Sequence, residues 1–206
     1  AARMGVERFV LMSSVAVLAQ DQHSREIDAY ARSKADAERV VREALSGSET
    51  AAVIVRAPMV YGPEAPGNFT RLAKLIARGW PLPLGGLENR RSMVSVWNLC
   101  DFLVMVSTHP EAAKSESPWL VSDDHDVSTT ALIETMAAAL GEPARLFYVP
   151  PRWLEFLGKL TRREREIRRL TGSLTLDLTA TRARLGWQPP MSFPRGIEKS
   201  LSQGRQ

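Results

Sequence analysis

The order of apolar and polar positions along the chain predicts strands that alternate with helices. Continuous apolar runs at 9–15 and 51–56 indicate buried strands of a parallel sheet, because such strands are covered on both faces. Between them, 29–44 has helical spacing and good helix formers, and Gly47 lies just beyond it. The same criteria predict further strands at 92–96, 119–121 and 145–149, and further helices at 69–78, 97–109, 129–140, 152–170 and 180–185.

Turn-forming and capping residues separate these elements. Proline and glycine cluster in 58–67, and 81–91 has the same loop-like character, so both stretches are predicted to be irregular. Asn68 and Ser128 precede helical stretches and are candidate N-caps, and Gly141 closes the second of these helices. Cys100 lies in an apolar helical stretch and is predicted to belong to the core.

The alternation predicts an α/β fold with a mostly parallel sheet. The second half of the chain is more helical and is expected to form a smaller lobe at the edge of that sheet. Residues 1–57 and 98–122 are assigned to the sheet domain, and residues 58–97 and 123–206 to the lobe. The opening AARMG resembles the last turn of a helix that stops at Gly5, so we expect a part of the protein to precede it.

Composition excludes several classes of function. The chain has 206 residues, 44% of them apolar, and a net charge of +4, which favours anionic partners only mildly. Its one cysteine provides no disulfide framework and indicates a reducing compartment, the cytoplasm. The three histidines are scattered, so we expect no metal site. No nucleic-acid-binding motif is present, and no apolar run approaches the roughly 20 residues that span a bilayer.

The helix predicted at 152–170 combines apolar residues with many basic ones. Such a pattern is found in helices that lie on a membrane surface. Glutamates at 164 and 166 are interleaved with the arginines, and they favour an ordinary solvated face with local ion pairs.

Candidate chemistry centres on the sequence YARSK. Tyr30 and Lys34 are four residues apart, so a helix places both side chains on one face. Ser13 and Ser14 end the strand that comes before them, at the sheet edge where open α/β folds bind ligands. A tyrosine hydroxyl is a poor base in water, but a lysine one turn away favours the phenolate. The three residue types suit proton transfer to or from an alcohol while a nicotinamide carries a hydride.

Longer motifs around YARSK resemble a known family. The runs FVLMSSV, YARSKADAE and VIVRAPMVYGP, followed by RRSMVSVWNLCDF and TATRARLGWQPPMSF, are similar to the extended short-chain dehydrogenases/reductases, which include the nucleotide-sugar epimerases, dehydratases and reductases. The resemblance covers nearly the whole chain and implies a Rossmann-type sheet with a sugar-nucleotide lobe. LGWxP near the C-terminus is most similar to the epimerases and 4-keto-sugar reductases that act on UDP-sugars in surface-polysaccharide synthesis.

The resemblance also implies a role for each matching residue at the reaction centre. Tyr30 corresponds to the general acid/base, and Lys34 to the residue that tunes it and holds the nicotinamide ribose. Ser14, and with it Ser13, corresponds to the serine that orients the reacting sugar oxygen, and Ser13 is also assigned to the cofactor side. Pro58 and Met59 correspond to residues that line the nicotinamide.

Two further positions correspond to residues that bind the nucleotide part of the substrate. Asn68 matches a position that contacts the diphosphate or base, although it is equally suited to cap a helix. Arg91 matches an arginine that pairs with the diphosphate, a task that suits its guanidinium fork. A solvated loop charge is the alternative for Arg91.

The family's glycine fingerprint, G-x-x-G-x-x-G after the first strand, is absent from the sequence. That turn places the pyrophosphate of NAD or NADP on a helix N-terminus, so this chain is expected to bind the dinucleotide poorly. An intact enzyme, a truncated remnant without catalysis and a regulatory subunit all stay open. By family analogy, exposed helices flanking Tyr30 offer a face for a homodimer.

Overall fold

The computed structural model describes residues 2–21, 29–65, 67–161, 167 and 170–203. Its strands are β1 (Arg8–Ser14), β2 (Ala51–Ala57), β3 (Met59–Tyr61), β4 (Leu82–Gly85), β5 (Met93–Ser95), β6 (Trp119–Leu120) and β7 (Leu146–Tyr148). Its α-helices are α1 (Ala29–Leu45), α2 (Asn68–Ala77), α3 (Val96–Thr108), α4 (Pro110–Ala113), α5 (Thr129–Leu140), α6 (Pro151–Leu160), α7 (Thr179–Leu185) and α8 (Phe193–Gln203). Short 3₁₀ helices cover Ala2–Met4 and Val15–Asp21.

The parallel sheet that the apolar runs predict is present. Strands β1, β2 and β6 lie side by side in that order, and β1 runs parallel to β2 with Ser14 opposite Ala57. The central strand β2 is the most buried, because Val53 and Val55 pack with Phe102 of α3 in one apolar cluster, the sheet cluster. This arrangement confirms the α/β prediction.

A second apolar cluster, the lobe cluster, is built by the remaining elements. Helices α2, α5 and α8 contribute buried residues to it, among them Leu72, Met136 and Ile197. Two short parallel pairs, β3 with β5 and β4 with β7, lie in this part of the chain. The division into a sheet domain and a lobe at the boundaries given above stays a prediction.

Both stretches predicted to be loops contain strands. Pro58 lacks an N–H and therefore ends the hydrogen-bond ladder of β2. The chain beyond it pairs with β5 instead, and this pairing forms β3 within 58–67. Strand β4 lies within 81–91 although Pro83 interrupts its pattern, since a two-stranded pair tolerates a proline on its free side. Short strands with proline have no sequence signal that separates them from loops.

Helix ends were predicted with mixed success. Ser128 caps α5 as predicted, because its Oγ accepts from the Ala131 N–H at 3.0 Å, and Gly141 closes the helix with a φ of 72°. Asn68 is not an N-cap: it is the first residue of α2, and Gly67 occupies the cap position. The prediction for Cys100 was wrong as well. Its side chain is exposed, because α3 turns the face that bears Phe102 toward the core.

A buried carboxylate joins the two clusters. Asp123 accepts hydrogen bonds from the Tyr61 hydroxyl at 2.6 Å, the Ser95 N–H at 2.9 Å and the Asn98 amide at 2.7 Å. Burial raises the pKa of Asp123 above its ordinary value, and these hydrogen bonds oppose that shift without cancelling it. Burial, together with the negative charge of Asp123, also raises the pKa of Tyr61, so its hydroxyl stays protonated and donates.

Helix α8 packs against Tyr61, the hydrogen-bond donor to Asp123, at Gly196. A Cβ at Gly196 would collide with the Tyr61 hydroxyl, and Tyr61 is fully buried between Phe69 and Phe193. The side chain of Tyr61 therefore requires glycine at this position of α8.

The change Gly196→Ala should destabilise the protein by about 1–2 kcal/mol, although alanine is the better helix former by about 1 kcal/mol, because the added methyl overpacks Tyr61. Tyr61→Phe alone should cost about 1 kcal/mol, since Asp123 loses a donor. In the double variant, removal of the hydroxyl should relieve the clash, so urea unfolding should show a favourable coupling of about 1 kcal/mol. Strictly additive losses would contradict this account of Gly196.

Candidate active site

The site begins at the carboxyl end of β1, where Ser13 and Ser14 are the last strand residues. Neighbouring residues of a strand point to opposite faces, so the two hydroxyls have different surroundings. Ser13 is buried, whereas Ser14 is half-buried and its Oγ accepts from the Ala16 N–H at 3.2 Å. The O–H of Ser14 retains its capacity to donate to another oxygen.

Helix α1 brings Tyr30 and Lys34 to this strand end. The Lys34 ammonium donates to the Met12 carbonyl at 3.1 Å, which fastens the first turns of α1 to β1. The same nitrogen lies 5.9 Å from the centre of the Tyr30 ring, and the tyrosine is 52% exposed. The structure therefore brings Lys34 to Met12, the residue just before the two serines of β1, with Tyr30 one helical turn away.

A buried glutamate that the motif analysis missed fixes the same helix. Glu38 is 6% exposed and accepts the Ser13 hydroxyl at 2.5 Å. Arg56 of β2 holds both of its carboxylate oxygens, with N–O distances of 2.9 and 2.8 Å. The carboxylate thus ties α1 to two adjacent strands. Its spacing was a usable signal, because Glu38 follows Lys34 by four residues and extends the same helical face.

Pro58 and Met59 lie at the same edge of the sheet. They directly follow Ala57, the residue opposite Ser14 in the register of β1 and β2. Pro58 is buried, and Met59 is half-buried against the lobe cluster. Both residues therefore stand where the sheet meets the lobe.

Asn68 and Arg91 lie close in the chain to Phe69 and Met93 of the lobe cluster. Asn68 is half-buried at the start of α2. The backbone of Arg91 forms bridges with Val127 and Leu174, and its guanidinium donates to the Gly172 carbonyl at 3.1 Å. The backbone around Arg91 is therefore fixed. The roles that the resemblance implies for these two residues stay predictions.

Comparison with known proteins decides the family. Residues 1–122 match the model of the NAD dependent epimerase/dehydratase family. The chain belongs to this family. The match covers α1 and β1, so Tyr30, Lys34, Ser13 and Ser14 all lie within it, and it confirms the resemblance drawn from the motifs.

Three relatives illustrate the similarity of this epimerase/dehydratase chain to characterised proteins. A UDP-glucose 4-epimerase of Vibrio cholerae is 37% identical over 95% of the chain and 62% of its own length. The N-acetyl-alpha-D-glucosaminyl-diphospho-ditrans,octacis-undecaprenol 4-epimerase of Escherichia coli O157:H7 is 23% identical over 96% of the chain and 65% of its own length. A solved UDP-glucuronic acid 4-epimerase of Bacillus cereus, in complex with NAD, has the same fold, with a TM-score of 0.75 at 17% identity over 100% of the chain and 62% of its own. The chain thus spans about three fifths of the length of these proteins.

The charge of Glu38 is maintained despite its burial. Burial raises the pKa of a carboxyl group, but hydrogen bonds from Arg56 and Ser13 and the positive charges of Arg56 and Arg42 outweigh it, so the pKa of Glu38 lies below its ordinary value. The ion pair with Arg56 is accordingly present at neutral pH.

Two negative observations concern the described residues alone. Within them, no group of three or more histidine, cysteine, aspartate or glutamate side chains could hold a metal ion. None of the helices in the same ranges is long and apolar enough to cross a membrane.

We expect Glu38→Gln to lower the free energy of unfolding by about 3 kcal/mol at pH 7, because it leaves the Arg56 charge unpaired in a largely buried position. Because the pKa of Glu38 is lower in the folded state than its ordinary value of 4.5, the ion pair stabilises the fold fully above pH 4.5. This stabilisation is lost as the pH falls through the folded-state pKa. Urea titrations at pH 7 and at pH 3 should therefore show that the difference between wild type and variant shrinks in acid.

The matched control for this substitution is Glu43→Gln in the same helix. Glu43 pairs with Arg39 at 3.0 Å, but both side chains are more than half exposed. Its loss should change the stability by less than about 0.5 kcal/mol. Equal effects of the two substitutions would show that Glu38 does not anchor α1.

Proposed function

We propose that the protein acts on a nucleotide sugar, as a 4-epimerase or a 4-keto-sugar reductase, with Tyr30 as the group that moves the proton. The observation that carries the proposal is the Lys34 ammonium, which is fixed on the Met12 carbonyl one helical turn from Tyr30. Ser14 ends β1 at the same edge of the sheet. The Vibrio relative, a UDP-glucose 4-epimerase, supports this class of substrate.

The proton chemistry follows from these three side chains. When a sugar hydroxyl becomes a carbonyl, its proton passes to the Tyr30 oxygen, and in the reverse direction Tyr30 returns a proton to the carbonyl oxygen. Tyr30 is a phenolate before it accepts this proton and again after it returns one, and the positive charge of Lys34 stabilises that phenolate. The Ser14 O–H donates to the same sugar oxygen and orients it toward Tyr30.

The residues near Tyr30 fit a nicotinamide dinucleotide in part. When bound, the cofactor would carry the hydride from or to the sugar carbon, because no side chain can do so. An ammonium has three N–H donors, so Lys34 can hold a ribose hydroxyl as well as the Met12 carbonyl. Pro58 and Met59 provide an apolar wall, and Ser13, whose hydroxyl proton goes to Glu38, retains an acceptor oxygen. The B. cereus structure contains NAD, which favours NAD over NADP.

The lobe is proposed to hold the nucleotide part of the substrate. The planar fork of the Arg91 guanidinium suits a diphosphate. Asn68 offers an amide beside the same lobe. The E. coli relative acts on a sugar diphosphate linked to undecaprenol, which supports a place in surface-polysaccharide synthesis. A cytoplasmic homodimer belongs to this proposal.

The alternative is a chain that keeps the fold without catalysis. Within the 206 residues there is no glycine turn that would place the pyrophosphate of the dinucleotide on a helix N-terminus. Such a chain could still bind a nucleotide sugar through the lobe. Binding and turnover measured together separate this alternative from the enzyme.

The variant Tyr30→Phe in the full-length protein should lower kcat by at least about a hundredfold, because general acid/base catalysis contributes roughly 10²–10⁴-fold. The Kd for UDP-glucose should change less than about threefold, since the phenol ring is retained and the lobe is untouched. Steady-state kinetics and calorimetry measure the two quantities. The control is Tyr148→Phe, at an exposed tyrosine of β7. Unchanged turnover of Tyr30→Phe would remove Tyr30 from the mechanism.

We expect the chain of 206 residues to show no saturable binding of NADH or NADPH up to about 1 mM, because it lacks the glycine turn that places the pyrophosphate on a helix N-terminus. Energy transfer from tryptophan to the reduced nicotinamide reports binding, and the melting temperature provides a second readout. Saturable binding in both measurements would contradict the expectation and would strengthen the case for an enzyme.

A further inference from the structure

Helix α6 presents an apolar stripe on its outer face. Trp153, Phe156 and Leu160 are 61%, 56% and 71% exposed. They are separated by three and four residues, so they lie on one side of the helix. The rings of Trp153 and Phe156 contact each other edge to face, with centroids 6.3 Å apart. Exposed aromatic and aliphatic side chains in a row indicate a surface that binds a partner.

The inner face of α6 is already used by the fold. Leu154 is 3% exposed and belongs to the lobe cluster, and Gly158 is buried on the same side of the helix. Leu154 and Gly158 therefore face the lobe cluster, whereas the stripe faces outward.

Positive charge accompanies the stripe. Arg152 and Lys159 are exposed and seven residues apart, which places them together along one side of α6. In the sequence, 151–170 contains seven basic and three acidic residues, so its net charge of +4 equals that of the whole chain. The rest of the protein is neutral on balance. The glutamates at 155, 164 and 166 are thus outnumbered, although they are interleaved with the arginines.

We propose that α6, with Arg152 and Lys159 beside its apolar stripe, binds the surface of an anionic phospholipid bilayer. Helices that combine a row of tryptophan, phenylalanine and leucine with basic residues lie in the interface, with the apolar face among the lipid headgroups. Tryptophan in particular favours that depth, because its ring is apolar and its N–H is polar. Lysine and arginine beside it are attracted by the negative lipids.

The charge argues against a second copy of the chain as the occupant. Two copies that meet through α6 would bring two positive surfaces together, which opposes association. A negatively charged bilayer complements the surface instead. Binding would be peripheral, because α6 has ten residues and is about 15 Å long, half of the roughly 30 Å of a bilayer core. The proposal does not depend on the catalytic assignment.

The test is co-sedimentation of the full-length protein with vesicles of phosphatidylcholine that contain about 30% phosphatidylglycerol. We expect the protein to partition onto these vesicles at least about tenfold more strongly than onto pure phosphatidylcholine, and the difference should diminish in 0.5 M salt, where charge is screened over about 4 Å. Trp153 should move into a less polar environment, so its fluorescence should shift to shorter wavelength, and Trp153→Phe should remove most of that shift.

Two variants test the two components of the surface. Trp153→Ser combined with Leu160→Ser should reduce partitioning at least about tenfold by loss of apolar contact. Arg152→Gln combined with Lys159→Gln should reduce it roughly tenfold, and only on the anionic vesicles. Val104→Ser, at an exposed apolar residue of α3, and the pair Arg32→Gln with Arg42→Gln on α1 are the matched controls and should bind as wild type. Circular dichroism verifies that each variant is folded.

Several outcomes would overturn the proposal. One is a lack of preference for anionic vesicles in the wild-type protein. Another is an equal loss of binding in the α6 variants and the matched controls, which would indicate nonspecific attraction. A third is a dimer in sedimentation velocity that the Trp153→Ser and Leu160→Ser changes dissociate, which would make the stripe an interface between copies. Each of these results is distinct from a failure of the Tyr30 experiment, which measures turnover.

Discussion

The arrangement of the two apolar clusters depends on the carboxylate of Asp123. It is buried where the sheet meets the lobe, and it binds β3 through Tyr61, β5 through the Ser95 N–H and α3 through Asn98. Asn98 in turn exchanges hydrogen bonds with the backbone of Met191, at 2.8 and 2.9 Å. A buried carboxyl group is tolerated only when such donors surround it. The requirement for these donors fixes the relative positions of the strands and helices that carry them.

A second buried carboxylate has the same function beside the candidate catalytic residues. Glu38 joins α1 to β1 and β2, and Lys34 adds a contact from α1 to the Met12 carbonyl. Tyr30 is 52% exposed at the start of this helix, whose contacts with β1 come from Lys34 and Glu38. Its position relative to Ser14 therefore depends on the buried side of α1. Residues that do not touch a substrate can determine the geometry of proton transfer in this way.

The proposed catalytic residues and the proposed membrane-binding surface lie on different elements of the molecule. The proposed chemistry uses the carboxyl edge of the parallel sheet, where α/β folds bind their ligands. The proposed membrane surface uses the outer face of α6, on the far side of a helix whose inner face belongs to the lobe cluster. An apolar residue that the core does not need, such as Trp153, can be exposed in such a structure without loss of the fold. Its exposure then requires another explanation, and a lipid surface provides one.

The sequence by itself determined the α/β class and the helix limits near Gly47, Ser128 and Gly141. It also singled out Tyr30, Lys34 and Ser14 as one candidate site. Periodicity, caps and motif spacing are local properties of the chain, so the sequence carries them directly. Only the tertiary structure decided the remaining features. Strands β3 and β4 exist because distant partners complete their hydrogen bonds, and Asn98 is inside while Cys100 is outside because Asp123 and Met191 satisfy the amide. The sequence spacing places Glu38 on the same helical face as Lys34, but it does not reveal that the partner of Glu38 is Arg56 of β2. Contacts between residues far apart in the chain leave no periodic pattern in the sequence.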